Sequence, residues 1–237
     1  MIHFTALRAK ELSNRFGVYG RFYRTLLGGV EYSCRSVLEL VERSAVATTD
    51  LQALDRHPPD LHVVMMNPGS SHPVPVETPI VLIGSLAEIE KIPLVPTRPD
   101  NTQYQIMKIM VARGYRHARV VNLSDLREPK SPVFLGLVER LRGVTGGERH
   151  SLFCDARREA LQRILVPSPE VPVLVGWGRH VGLKGLAQQC LEKLADRVLV
   201  GVPVVGESVL FAHPSPMLQS MKDAWIAAVL NHPAIGR

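Results

Sequence analysis

The architecture of this chain follows from one segment, which reads Leu61-His62-Val63-Val64-Met65-Met66-Asn67-Pro68-Gly69. Its first six residues are almost all apolar, and a run of this length is typical of a β-strand that is covered on both faces. An asparagine and a proline–glycine pair then end the run, which indicates a loop. We therefore expect a strand inside a parallel sheet, with a polar group at its carboxyl end.

The remainder of the chain repeats this pattern of short apolar strands that alternate with helices. Core strands are predicted at Leu61–Met66, Ala118–Val121, Val171–Val175 and Ser208–Ala212, with a short additional strand at Val198–Val200. Helices are predicted at Asn101–Arg113, Val133–Arg142, Asp155–Leu165, Leu183–Asp196 and Pro216–Leu230. The alternation predicts an α/β fold with three layers, in which helices cover both faces of a central, mainly parallel four-stranded sheet.

Residues 1–58 are predicted to form an N-terminal appendage that packs on a main domain of residues 59–237. Phe22–Cys34 contains two glycines between β-favouring residues and is interpreted as a hairpin. Ser36–Val46 is predicted to be a short helix. The proline-containing stretch His57–Asp60 breaks the chain before the first core strand.

The composition narrows the classes of partner. A net charge of +6 and a pI of about 9.5 favour polyanions such as nucleic acid. Cys34, Cys154 and Cys190 are far apart and include no Cys-x-x-Cys pair, so we expect buried, idle thiols rather than a metal site. With no apolar run of membrane-spanning length and no visible signal peptide, we expect a cytoplasmic monomer that does not bind membranes.

Polar groups follow each of the four core strands. They begin at Asn67, Asn122, Gly176 and His213, and the third group includes Trp177. Taken alone, these are ordinary features: a turn, a helix cap, core packing by a tryptophan and a proline-rich helix start. Because ligands bind beyond the carboxyl ends of strands in such sheets, we expect the four groups to converge on one site.

The set resembles the uracil-DNA glycosylase superfamily over residues 60–232, in order and in rough spacing. The matching motifs are Met66–Gly69, Val121–Leu123, Leu174–His180 with Lys184-Gly185, and His213–Pro216. The first motif is similar to that of the branch that uses Asn-Pro-Gly. The same framework also resembles a bacterial domain family of unassigned function. The resemblance implies a glycosylase-like fold for the main domain.

The resemblance also implies roles for three side chains in cleaving the bond between a base and its sugar. His213 would donate to the base oxygen O2 and stabilise the departing anion. Asn122 would bind the Watson–Crick edge of a flipped base. Asn67 would hold the attacking water, and because an amide is a weak base, the reaction would depend on leaving-group stabilisation.

Six further residues are predicted to contact DNA. Ser215 and nearby amides would bind phosphates, as helix starts do. Met217 or Leu218 would fill the space that the flipped base leaves. Three basic residues are predicted phosphate contacts: Arg179, Lys184 and Arg127.

Two departures from the family pattern bear on the substrate. Gly69 stands where uracil-specific relatives have a tyrosine against the pyrimidine C5, so we expect a pocket that accepts groups at C5. No aromatic residue lies between Asn67 and Tyr104, so His72 or Tyr104 is expected to replace the base-stacking phenylalanine. The long loop Pro68–Asp100, with an extended piece at Ile80–Ile83, would form this part of the pocket.

We therefore expect a monofunctional DNA glycosylase that leaves an abasic site and needs no metal or other cofactor. Its substrate would be uracil, thymine or a C5-modified cytosine such as those of phage DNA, in repair or in antiviral defence. Two alternatives stay open. An inactive nucleic-acid-binding module would bind DNA in a salt-dependent way without base release, and a nucleoside or nucleotide hydrolase would act on small substrates.

Overall fold

The computed structural model describes residues 6–44, 51, 54, 57–76, 81–165 and 170–235. The strands are β1 (Phe16–Leu27), β2 (Val30–Glu42), β3 (Leu61–Met65), β4 (Val81–Leu82), β5 (Val95–Pro96), β6 (His117–Asn122), β7 (Val173–Val175) and β8 (Leu199–Val200). The helices are α1 (Ala9–Arg15), α2 (Asn101–Arg113), α3 (Ser131–Leu141), α4 (Arg158–Leu165), α5 (Lys184–Lys193) and α6 (Gln219–Leu230). None of these helices is long and apolar enough to cross a membrane.

All the strands belong to one mixed sheet. Its order is β4-β1-β2-β6-β3-β7-β8, and β5 pairs with the outer part of β1. The strands β6, β3, β7 and β8 are mutually parallel, as the alternation of strands and helices predicts. The sheet has eight strands rather than the predicted four, because the N-terminal hairpin adds β1 and β2, the short strands β4 and β5 pair with β1, and β8 pairs with β7.

The N-terminal hairpin is a structural part of the sheet. Its two strands turn at Gly28 and Gly29, which both have positive φ, so the predicted glycine turn is confirmed. The predicted helix from Ser36 is wrong, since these residues continue β2 and pair antiparallel with β6. Residues 34–41 are buried on both faces of the sheet, and this environment favours an extended strand. Residues 45 and 46 of that prediction lie outside the described residues.

Helices cover both faces of the sheet and create two apolar cores. On one face, α1, α2 and α6 pack through residues such as Leu12, Met107 and Ile226. On the other face, α3, α4 and α5 pack through residues such as Phe134 and Leu161. The strands separate these cores, so the predicted three-layer α/β/α arrangement describes the fold. The three cysteines are buried and unpaired, as expected.

Two segments lie near the carboxyl edge of β3 and β6, namely the start of α2 and the residues that precede His213. Helix α2 has the predicted bounds, with Asp100 as its N-cap and Gly114 in the left-handed conformation at its end. The predicted strand at Ser208–Ala212 is wrong. This segment forms only isolated bridges through Phe211 and bonds back to residues 202–204, because β8 already occupies the side of β7.

Candidate functional site

A cavity of about 240 Å³ lies at the carboxyl ends of β3 and β6. Asn67, Asn122 and His213 all line it, so residues from three separate parts of the chain meet at one site. Its volume is below the range of about 300–1,000 Å³ that is usual for drug-sized ligands. The cavity suits a small group such as a single base. Its other lining residues include Arg35, Met65, Pro68, Gly69, Asp100, Gln103, Pro129 and Ser131.

The amide of Asn67 is held by the loop that follows β6. Its Nδ2 donates to the carbonyl oxygens of Leu126 at 3.1 Å and Glu128 at 2.8 Å. Both amide hydrogens are therefore used, and the orientation of the group is fixed. The side-chain oxygen remains available as an acceptor, for example for a water molecule.

His213 is held in one neutral tautomer. The backbone N–H of Ser215 donates to its Nδ1 at 3.2 Å, so that nitrogen is an acceptor and the ring proton lies on Nε2. Burial lowers the pKa of His213, although Asp100 opposes this effect. The imidazole is therefore neutral at pH 7 and offers one N–H donor.

Arg35 is a functional candidate that the sequence predictions missed. It lies in β2, is 1 % exposed and lines the cavity. Its Nη2 donates to Oδ1 of Asn122 at 2.9 Å. Among the described residues, its Nε and Nη1, and Nδ2 of Asn122, have no hydrogen-bond partner. Burial lowers the pKa of Arg35 to about 10, so it stays charged at pH 7. An arginine within the apolar run of β2 was the available signal.

The acid nearest in sequence to the end of β6, Asp125, opposes the lowering of the Arg35 pKa through its charge alone. Asp125 is fully buried and accepts hydrogen bonds at 2.7 Å from Tyr23 and from Arg157 on the same oxygen, Oδ2. Burial raises its pKa, and Arg157 and Tyr23 oppose the rise. The Arg35 guanidinium forms no ion pair with it among the described residues.

Asp100 is a second candidate that the sequence predictions missed. Its Oδ1 accepts from the backbone N–H groups of Thr102 and Gln103, which caps α2. Within the described part of the chain, its Oδ2 accepts no hydrogen bond. Asp100 lines the cavity, so one carboxylate oxygen stays available there. A helix cap was a sufficient explanation of this residue from sequence.

The predicted base-binding residues divide into two groups. Gly69 lines the cavity, with φ of 59°, and a Cβ added there would meet no atom within 4 Å, so this wall is open. His72 and Tyr104 lie outside the cavity lining. The ring of His72 bonds to the carbonyl of Ser70, and the hydroxyl of Tyr104 bonds to Ser13 at 3.0 Å. Among the described residues, no aromatic side chain lines the cavity.

A second, more apolar groove of about 690 Å³ adjoins the cavity, and His213 lines both. Met217 is 98 % exposed beside the groove, and Leu218 is 62 % exposed. The predicted start of the last helix at Pro216 is wrong, because the helix begins at Gln219 and Leu218 is its extended N-cap. The predicted wedge residues therefore lie in the irregular segment before α6.

The three predicted phosphate contacts differ in the surroundings and partners of their charged groups. Arg179 lines the groove. Lys184 pairs with Glu207 at 2.8 Å, so its ammonium group is partly neutralised. Arg127 donates to the carbonyl of Ser71 and lies over the ring of Phe22, so its guanidinium already has partners within the protein.

The site thus combines a neutral imidazole donor, two amides, a buried cation and a carboxylate. Within the described residues, no group of three or more histidine, cysteine, aspartate or glutamate side chains is placed to hold a metal ion. Trp177 is fully buried and donates to the carbonyl of Val209, which agrees with core packing. Comparison with protein-family models, curated proteins and solved structures finds no match to this chain.

Proposed function

We propose that this protein is a DNA glycosylase that hydrolyses the N-glycosidic bond of a flipped pyrimidine and leaves an abasic site. The observation that carries the proposal is that Asn67, Asn122 and His213 line one small cavity at the carboxyl ends of parallel strands. The bond between sugar and base breaks through a cationic sugar and an anionic base. A site for this reaction therefore needs a donor to the base and a polarised water near the sugar.

His213 supports the first requirement. Its Nε2–H is the only ring donor once Nδ1 accepts from Ser215, and a neutral imidazole can donate to a base oxygen without losing its proton. Such a preorganised donor strengthens its bond as charge grows on the departing base. One donor of this kind typically contributes about 3 kcal/mol to transition-state stabilisation.

Asn67 supports the second requirement. Because its Nδ2 is engaged by two carbonyls, its Oδ1 can accept from a water molecule and direct that water's lone pair away from itself. Asn122 is held by Arg35 through Oδ1, which leaves Nδ2 to donate to an acceptor on the base. The two amides would thus act on water and base, respectively.

The open wall at Gly69 supports a pyrimidine that carries a group at C5, such as thymine or a hypermodified cytosine of phage DNA. The exposed side chains of Met217 and Leu218, beside a groove that shares His213 with the cavity, are suitable for replacing an extruded base. Arg179 and the net charge of +6 support binding to a phosphate backbone. Antiviral defence or repair would both use this activity.

The test is to incubate the protein with uracil-containing, thymine-containing and hypermodified DNA, and then to cleave abasic sites with alkali. Mass spectrometry would identify each released base. We expect His213→Ala and Asn67→Ala each to slow release by about 100- to 1,000-fold. The exposed His57→Ala and Asn231→Ala serve as matched controls and should retain full activity.

The outcomes separate the proposal from the two alternatives. Salt-sensitive DNA binding without base release on any substrate would favour an inactive binding module. Release from free nucleotides but not from DNA would favour a small-molecule hydrolase. Full activity of the Asn67→Ala, His213→Ala double variant would show that the cavity is not the active site.

A further inference from the structure

The cavity contains two opposite charges that do not neutralise each other. Arg35 and Asp100 both line it, and no ion pair joins them among the described residues. The charges of Asp100 and Asp125 oppose the lowering of the Arg35 pKa by burial, so Asp100 acts on Arg35 across the cavity. In the described part of the chain, Arg35 has no carboxylate at ion-pair distance, and Asp100 keeps one oxygen that does not cap α2.

Arg35 makes few hydrogen bonds for a charged side chain that is almost fully buried. Within the part of the chain that the structure describes, its guanidinium makes one hydrogen bond, to Asn122, and Nε and Nη1 have no partner. A buried guanidinium has five N–H donors to satisfy, and native structures rarely leave such groups unpaired. An acceptor that carries negative charge is the group that would satisfy these donors best.

The carboxylate of Asp100 is partly used and partly free. Oδ1 caps α2, and this bond fixes the position of the side chain. Oδ2 has no donor among the described residues. It can therefore face a positive charge, or accept a hydrogen from water, without losing the helix cap.

We propose that Arg35 and Asp100 match the two charges of the transition state, with Arg35 at the departing base and Asp100 at the cationic sugar. This inference rests on the proposed glycosylase function. In the reaction, the bond from C1′ to the base nitrogen breaks and its electron pair leaves with the base. The oxygen of water then bonds to C1′, and one water proton ends on the base. No oxidant, metal or co-reactant is needed.

The experiment measures binding of oligonucleotides that carry one abasic analogue, tested single-stranded and as a duplex. In one oligonucleotide the sugar is a pyrrolidine, whose ring nitrogen is protonated, and in the other it is a neutral tetrahydrofuran of the same shape. Each is measured with and without free 5-fluorouracil at pH 8, where this base is partly anionic. The two oligonucleotides differ in the charge of the sugar analogue but hardly in its shape.

We expect the wild-type protein to bind the pyrrolidine oligonucleotide at least about tenfold more tightly than the tetrahydrofuran one, since hydrogen bonds to charged groups are worth about 1.5–3 kcal/mol. Asp100→Asn should abolish this preference, although asparagine is an equally good N-cap and should preserve α2. Added 5-fluorouracil should tighten binding to the wild-type protein. Arg35→Met should abolish that gain, and Arg35→Lys should partly restore it.

The exposed Arg98→Met is the matched control for loss of positive charge and should keep both preferences. Equal binding of the two oligonucleotides by the wild-type protein, together with normal base release, would overturn the charge assignment and leave the glycosylase function standing. Loss of both preferences in either single variant would also overturn the division of roles. Discrimination that depends on these residues, without base release from any DNA, would overturn both hydrolysis and the transition-state assignment, and would leave a site that only binds the two charges.

Discussion

Two arginines on neighbouring strands are equally buried and differ in whether they are paired. Arg119 on β6 is 2 % exposed, and all three of its guanidinium nitrogens donate to the protein. Arg35 on β2 is 1 % exposed, and two of its three nitrogens have no partner. The first faces Glu39 within the sheet, and the second faces a cavity. The difference separates a charge that serves the fold from one that is available to a ligand.

The paired cluster predicts the largest effect on stability. Burial alone would raise the pKa of Glu39, but Arg119 and His117 outweigh it and lower the pKa to about 2. Both partners lie at 2.7 Å. Glu39→Gln leaves Arg119 buried without a counter-charge, and we expect a loss of about 3–5 kcal/mol in the free energy of unfolding. Urea denaturation measures this value.

An unchanged free energy of unfolding in Glu39→Gln would mean that the backbone carbonyls around Arg119 already compensate its charge. The exposed pair Arg24–Glu31 provides the control, because both side chains lie at the surface. Glu31→Gln should cost less than about 1 kcal/mol.

The contrast also shows what the sequence could and could not predict. The strands β3, β6, β7 and β8 were predicted, because each is a short apolar run, whereas the strand predicted at Ser208–Ala212 was wrong. Asn67, Asn122 and His213 nevertheless line one cavity, and the third predicted group, which begins at Gly176, lies outside its lining. The pairing of β2 with β6 was not predictable in this way, because it depends on register between distant strands. Arg35 was missed for that reason.

Two other residues show the same limit. Asp100 was interpreted only as the end of a loop before α2, and nothing local indicates that its second oxygen faces a cavity. Tyr104 was predicted to stack on the base, whereas it packs with the core on the side of α1 and α2. Which face of α2 meets the site is decided by tertiary packing, so the spacing of residues along the helix cannot reveal it.

Acidification should lower the free energy of unfolding by a smaller amount than Glu39→Gln, through His62 beside the paired cluster. His62 lies opposite Arg119 in the register of β3 and β6, and neither of its ring nitrogens has a hydrogen-bond partner among the described residues. Burial, and then the charge of Arg119, lower its pKa from 6.5 to about 3. Between these two pKa values, His62 therefore binds a proton in the unfolded chain but not in the folded one. The stability is complete above pH 6.5 and is lost as the pH falls towards 3.

At pH 5, about 1.5 units below the unfolded pKa, this histidine should cost about 2 kcal/mol relative to pH 8. The measurement is urea denaturation of the wild type and of His62→Leu at both pH values. The variant should lose about 2 kcal/mol less on acidification. An equal acid loss in both proteins would show that His62 is protonated in the folded state.

A neutral hydrogen bond outside both arginine sites provides a reference for these changes in the free energy of unfolding. The hydroxyl of Tyr104 bonds to Ser13 at 3.0 Å between α1 and α2. Tyr104→Phe should reduce the free energy of unfolding by about 1 kcal/mol. Base release should stay at the wild-type rate, because Tyr104 lies outside the cavity lining. A large loss of activity with unchanged stability would restore the role in base binding that the sequence predicted.

Arg35→Met should have the smallest effect on the free energy of unfolding, although it should abolish the gain in binding from 5-fluorouracil. Arg35→Met leaves Oδ1 of Asn122 without its donor, but the apolar side chain avoids the cost of burying a partly unpaired cation, so the two effects oppose each other. We expect the free energy of unfolding to change by less than about 1 kcal/mol. Urea denaturation beside Glu39→Gln compares the two buried sites directly. A loss as large as that of Glu39→Gln would mean that Arg35, too, supports the fold, and the distinction between the two arginines would then fail.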